Sequence, residues 1–177
     1  WPPASPVIED RGAAEDALWT ALGNALDRRL MADVPLGVFL SGGLDSTALV
    51  ASLSERLDPT RLKTFSVAFE DPSFDESSHA RTVANHFGTE HHERTLRAKD
   101  LIALIPDLLA TLDEPFADPS IIPTSLLSAF AKEEVTVALG GEGGDELLLG
   151  YPTFFAEPWA KRLERIPKWV RRMTLEP

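Results

Sequence analysis

Cysteine is absent from this sequence. That excludes disulfides and thiolate metal sites and fits a reducing compartment, so the expected location is the cytoplasm. Long apolar runs are absent too. No stretch is long enough to span a bilayer and no signal-peptide pattern is present, so no membrane partner is expected. Positive charge is scarce: 17 Lys and Arg stand against 28 Asp and Glu, a formal net charge of −11. Such a balance argues against a nucleic-acid surface, and the bulk of the charge is read as simple solubility. There is no initiating methionine. The chain opens on Trp1-Pro2-Pro3 and is therefore expected to be a piece of a longer protein.

What is present suits one α/β domain, with 177 residues of which 44% are apolar. The stretch around Ser41-Gly42-Gly43-Leu44-Asp45-Ser46 organises the rest. An apolar run, Leu36 to Leu40, reads as a buried strand and stops at Ser41. From Leu44 on, Ala48, Leu49, Ala51, Ser52 and Leu53 recur at helical spacing. Strand, glycine turn and helix together aim free backbone N–H groups and the positive helix end at one place. Two glycines permit close approach, and Ser41, Ser46 and Thr47 add hydroxyls, so the pocket suits an oxyanion, above all phosphate. The loop lacks the lysine of G-x-x-x-x-G-K-S/T, which excludes an ordinary P-loop NTPase. It contains Asp45 instead. A carboxylate beside phosphates needs a divalent cation between them, and Mg²⁺ is the economical choice.

In chain order, residues 1–12 read as a proline-rich linker and 13–177 as the domain. Ala13 to Met31 carries a helical apolar stripe in which Trp19 is a packing residue. After the first strand and helix, Leu62 to Phe69 reads as a second strand, Asp75 to Phe87 as a helix stopped by Gly88, and Glu90 to Leu96 as a third strand. His91 and His92 are adjacent on that strand, so they face opposite ways and cannot chelate one ion as a simple pair. Asp100 to Leu112 is a further helix. It runs into the acidic, proline-bearing loop Asp113 to Pro119, either an exposed turn or a wall of the substrate pocket. Ile121 to Lys132 is helical, and Val135 to Leu139 forms a fourth strand, again halted by glycines: Gly140, Gly141, Glu142, Gly143, Gly144, Asp145. Close approach to a nucleotide explains so many glycines better than a turn alone. Loops at the carboxyl ends of parallel strands share one edge, so Asp45 and Asp145 are expected to face a shared Mg²⁺. Tyr151 to Pro177 reads as an aromatic, basic helical tail. The fold class is α/β, an open, mainly parallel sheet with helices on both faces.

These motifs resemble a known family. SGGLDS is similar to the pyrophosphate loop of the N-type ATP pyrophosphatases, which cleave ATP between its α- and β-phosphates, and it implies an adenine nucleotide alpha hydrolase-like fold. Taken in order, SGGLDST, SVAF, GTEHHE, IPTSLLSAFAKE and GGEGGDE followed by GY resemble the synthetase domain of glutamine-dependent asparagine synthetases, over roughly Asp33 to Tyr151. The Asp113 to Asp118 stretch looks closest to the related amidotransferases of bacterial surface-polysaccharide clusters. The resemblance implies that ATP adenylates a substrate carboxylate, aspartate by default, with release of pyrophosphate, and that glutamine-derived ammonia then attacks. Ser41, Gly42, Gly43, Asp45 and Ser46 would hold the β,γ-phosphates, and Asp45 and Asp145 the Mg²⁺. Backbone around Leu40, Val67, Gly140 and Gly141 would line adenine and ribose, and Glu142 would face the reacting carboxylate or amine. Asp45, Glu142 and Asp145 are thus the catalytic candidates.

The sequence departs from the family at Gly140, where serine is usual, and at Leu148-Leu149-Gly150-Tyr151, where FGGY is usual. No residue after Tyr151 matches the family's downstream catalytic lysine, and the glutaminase domain, which in the family precedes this one, is not in the chain. ATP binding without complete catalysis is therefore expected of the piece, with the parent's glutaminase domain as partner and a homodimer left open. Two alternatives stand beside the asparagine-forming ligase: an amidotransferase with another acceptor (polysaccharide or β-lactam type), and a non-catalytic ATP- or AMP-binding module.

Overall fold

The apolar runs that end in glycine or proline become strands, and each strand pair is parallel. In the computed structural model, which describes residues 8–31, 33–73, 75–114, 117–154, 156 and 162, β1 spans Leu36–Phe39, β2 Lys63–Phe69, β3 Glu90–Leu96 and β4 Val137–Leu139. The helices are α1 Arg11–Arg29, α2 Leu44–Ser54, α3 Ser77–Phe87, α4 Ala98–Thr111, α5 Ile121–Ala131 and the short α6 Gly144–Leu148. The chain divides into two compact units, Trp1–Gly140 and Gly141–Pro177. No helix among the described residues is long and apolar enough to cross a membrane.

Across the sheet the order is β3-β2-β1-β4. The chain steps outward from β1 to β3, then returns to the far side of β1 for β4. Strand order therefore reverses between β1 and β4, and open α/β sheets bind ligands in the crevice outside the carboxyl ends at such a switch point. Register makes the crevice specific. Val38 lies opposite Leu139, so Leu40-Ser41 and Gly140 leave the sheet side by side on one edge.

Side chains alternate along a strand, so the sheet feeds two cores. Val38 and Leu40 pack with Leu26 of α1, Val50 and Leu53 of α2, and Ala80 and Ala84 of α3. Phe65 packs on the other face with Phe130, Ala131 and Val135, against Phe39 and Leu127. Helices thus cover both faces, as the sequence implies. Burying each of Val38, Leu40, Val50 and Leu53 contributes roughly 1.5–3 kcal/mol, which makes β1 and α2 the firmest part of the first unit. Arg56 pins α1 to α2: its guanidinium lies over Gly23, pairs with Asp27 at 2.9 Å and donates to the Ser52 carbonyl at 2.8 Å.

Several boundaries differ from the sequence reading, each for a physical reason. α1 starts at Arg11, because Asp10 caps it by accepting from the Ala13 N–H at 2.8 Å. Its stripe is buried only towards the carboxyl end, around Leu26, while Leu18 stays half exposed. Trp19 is also partly exposed and donates from its indole to Glu55 at 3.2 Å. β4 is two residues shorter than expected, because the Val135 N–H continues the helix-end turn to the Ala131 carbonyl at 2.8 Å and its side chain plugs the second core. Leu44, counted in the stripe of α2, is 90% exposed. Gly88 ends α3 in the left-handed conformation as foreseen. The tail after Tyr151 lies largely outside the described residues.

Candidate functional site

The last ladder bond of β1 runs from the Leu40 N–H to the Phe65 carbonyl at 2.8 Å. Leu40 itself is buried, so only its backbone can face a ligand. The chain then turns, and a ring of short bonds fixes the turn. The Gly43 N–H donates to Ser41 Oγ at 3.1 Å, Ser41 Oγ and Ser46 Oγ lie 3.0 Å apart, and Ser46 Oγ donates to the Gly43 carbonyl at 3.2 Å. The Ser41 N–H also reaches Ser46 Oγ, at 3.3 Å. Ser46 is buried, and its one hydroxyl proton is engaged by the loop. In this conformation it shapes the turn.

α2 starts at once, with Gly43 as its cap. The first bond into the helix is from the Thr47 N–H to the Gly43 carbonyl, at 3.0 Å. The N–H groups of Leu44, Asp45 and Ser46 precede it and have no acceptor within the helix. They carry the positive end of the helix dipole, about half an elementary charge. Asp45 stands in this first turn, half-buried, and its carboxylate makes no hydrogen bond or ion pair among the described residues.

β2 borders the same space. Leu40 bonds to Phe65, so Phe65 directs its peptide groups towards β1. In a parallel ladder alternate residues do the same, and Val67 therefore points its N–H and C=O to the β1 side, beyond the point where β1 has left the sheet. Behind the turn stands α3. Gly42 has φ +84°, and a Cβ placed on it would come within 2.5 Å of His79 Cβ and 2.6 Å of the Ala80 nitrogen. The loop lies backbone against backbone on the first turn of α3.

In the second unit the other glycine corner is built differently. Gly143 has φ +92° with open space where a Cβ would point. Its carbonyl accepts from the Leu147 N–H at 3.1 Å, and the Gly150 N–H returns to the Asp145 carbonyl at 2.9 Å. Leu149 takes the left-handed conformation at φ 59°, which turns the chain so that Gly150 abuts the Asp145 carboxylate. Tyr151 donates to Glu146 at 2.8 Å. Glu142 and Asp145 are exposed, and Gly141 is partly buried.

Ser41, Gly42, Gly43, Asp45, Ser46 and the backbones of Leu40 and Val67 are therefore gathered at one strand end, with Gly140 leaving the sheet alongside. Glu142 and Asp145 belong to the second unit. Two residues that sequence reading left out of the site matter here: His79, because its backbone backs the loop, and Asp75, treated below. The histidine pair divides as expected. His91 bonds through its two ring nitrogens to Thr64 at 2.9 Å and Ser66 at 3.2 Å, whereas His92 stacks on Phe65 with centroids 5.1 Å apart. Burial among these hydroxyls holds the His91 pKa below its ordinary value. In the acidic loop, Asp118 accepts from the Ser120 N–H at 2.9 Å and the described residues are mostly exposed; Pro115 and Phe116 lie outside the described residues.

Among the described residues no three His, Asp or Glu side chains converge as a ready-made metal centre. Mg²⁺ does not need one, since it commonly takes one or two carboxylates and fills its shell with water and phosphate oxygens. Asp45, an unengaged oxygen donor in the first turn of α2, fits that mode.

A parallel sheet of this order with a glycine loop after β1 is common to open α/β nucleotide-binding folds, the adenine nucleotide alpha hydrolase-like fold among them. The likeness to solved structures agrees: a glutamine-dependent NAD⁺ synthetase from Acinetobacter baumannii, solved with ADP, superposes with TM-score 0.53 at 18% identity over 84% of this chain and 29% of that one. An NMN synthetase from Francisella tularensis gives 0.52 at 18% over 77% and 58%. The asparagine synthase family model matches residues 17–176, and the chain belongs to that family. A glutamine-hydrolysing asparagine synthetase of Bacillus subtilis is 39% identical over 171 residues, 96% of this chain and 27% of the relative. The corresponding Bos taurus enzyme is 34% identical over 151 residues, 80% and 26%. The chain thus spans about a quarter of the length of these relatives.

Proposed function

We propose that this chain is the ATP-binding part of an ATP-dependent, amide-forming ligase that takes its nitrogen from glutamine. One observation carries the reading: the loop Ser41 to Ser46 stands at the switch point of the sheet, with unbonded amides and the unengaged Asp45 carboxylate together. A carboxylate is a poor acyl donor until one of its oxygens becomes a good leaving group. Attack by that oxygen on the α-phosphorus of ATP expels pyrophosphate and yields an acyl-adenylate. Ammonia then adds to the acyl carbon and displaces AMP.

Each residue has a physical task in this scheme. The Gly42, Leu44 and Asp45 amides receive the β- and γ-phosphates, as helix-start amides do elsewhere, while the Gly43 N–H, held by Ser41 Oγ, fixes the turn. Ser41 and Ser46 keep the turn in the shape that presents those amides. The Val67 backbone, with that of Leu40 and Gly140, offers hydrogen-bonding groups to the nucleoside, and the motif gives Gly141 as a further candidate. Asp45 holds Mg²⁺, and the motif gives Asp145 as a second candidate carboxylate. When bound, the cation neutralises charge that builds up on the departing pyrophosphate. Glu142 is assigned by motif to the reacting carboxylate or amine. Aspartate is the default acceptor, and a glutaminase domain of the parent chain is the ammonia source.

Pyrophosphate release by the full-length protein, measured across carboxylate substrates with Asp45→Ala and Asp145→Ala as controls, tests the reading. Release triggered by one carboxylate and lost in Asp45→Ala supports it. ATP binding with no carboxylate triggering release would mark a nucleotide-binding module instead.

A further inference from the structure

The phosphate loop rests on α3, so whatever sets the position of α3 also sets the loop. Ala80 and Ala84 are fully buried against β1 and α2, and their small size lets the helix come close. Methyl groups in a groove fix distance but oppose sliding weakly. Axial position needs a directional tie, and the structure provides it through Asp75.

We infer that Asp75 is a positioning residue for the phosphate loop, acting through the first turn of α3 on Gly42. Its Oδ1 accepts from the Phe69 N–H at 3.3 Å, at the carboxyl end of β2, and from the Ser77 N–H at 3.2 Å, at the start of α3. Its Oδ2 accepts from Ser77 Oγ at 3.0 Å. Ser77 is buried and its hydroxyl in turn accepts from Arg81 at 3.1 Å. Arg81 reaches Glu93 of β3 at 3.4 Å. One carboxylate thus ties the end of β2 to the start of α3, with a relay to β3. Two residues after Ser77, the His79–Ala80 peptide meets Gly42. A slide of about 1.5 Å, one residue's rise along a helix, would take that peptide out of contact or drive it into the loop. The carboxylate also faces the positive end of the α3 dipole, and the bonds from Ser77, with help from Phe69 and Arg81, hold its pKa below the ordinary value.

The geometry stands by itself; its functional consequence rests on the loop holding phosphate, as proposed above. The test uses the whole chain in two measurements. Without ligand, hydrogen exchange at the Ser41 and Gly43 amides, both bonded within the loop, is expected to quicken roughly tenfold in Asp75→Asn, the scale of one lost charge-assisted hydrogen bond, while Val38 and Phe39 stay protected. Titrated with ATP and Mg²⁺, the same variant is expected to bind about tenfold more weakly by the same reasoning. Ser77→Ala keeps both amide bonds to Asp75 and should change each by less; if Asp75→Asn fails to fold, quickened exchange at Gly43 in Ser77→Ala supports the inference and unchanged exchange overturns it. Unaltered exchange at Ser41 and Gly43 in Asp75→Asn overturns the inference, even where Asp45→Ala abolishes ATP binding. If instead Asp75→Asn loosens those amides but Asp45→Ala binds ATP normally, the positioning role stands and the phosphate assignment falls.

Discussion

The two glycine corners look alike as text and differ as structures. The first, Ser41 to Thr47, follows a strand buried on both faces, closes on itself through two serine hydroxyls and leans on the backbone of α3. The second, Gly141 to Tyr151, is a five-residue helix with exposed flanks, where Gly143 needs a left-handed backbone and nothing crowds it. Glycine therefore answers two separate demands: room at Gly42 and conformation at Gly143. The first corner is a closed turn braced by α3, the form that the proposed phosphate role requires. The second holds its acids on a short turn that closes on itself when Gly150 comes against Asp145.

Alanine substitution puts that contrast to its hardest test. Gly42→Ala meets both the positive φ, a penalty of roughly 1–2 kcal/mol, and a backbone collision that no rotamer relieves. It should give the largest effect, abolishing ATP binding in calorimetry and lowering the melting temperature markedly. Ser46→Ala comes next, removing the hydroxyl that closes the loop at about 1–2 kcal/mol for bonds lost in a buried place; ATP affinity should fall severalfold. Gly143→Ala carries strain alone, about 1–2 kcal/mol by the same left-handed penalty, and thermal unfolding of the first unit should hardly move. Equal losses from Gly42→Ala and Gly143→Ala would erase the distinction between the corners.

Acid offers the mildest probe. The folded His91 pKa lies below the unfolded value, so the fold resists its protonation while the unfolded chain accepts the proton freely. Stability linked to His91 is complete above the ordinary histidine range and is lost as pH falls through the folded value. His91→Gln should flatten the unfolding curve between about pH 7 and pH 5.

Much of this was legible because the signals are local. An apolar run halted by glycine gives a strand end, and periodicity gave α2, α3 and α5 to within two residues at each end. The histidine pair followed from strand alternation alone. What escaped reading depends on contacts distant in sequence. Leu44 fits the helical spacing of α2, yet the helix turns that residue to solvent. Val135 is as apolar as any strand residue, but the end of α5 claims its amide. The support of Gly42 by His79 and Ala80 spans nearly forty positions, and Asp75 resembles any polar residue ahead of a helix until Phe69 is seen donating to it.

In the proposed role, a loop without lysine would grip phosphate through its main chain. Amides are common to every amino acid except proline, so scanning side chains one at a time would rank Leu44, 90% exposed, as dispensable even if its N–H serves the proposed phosphate site. Replacing single peptide links by esters around residues 43–46 would expose that hidden share, since an ester keeps the side chain and deletes the donor.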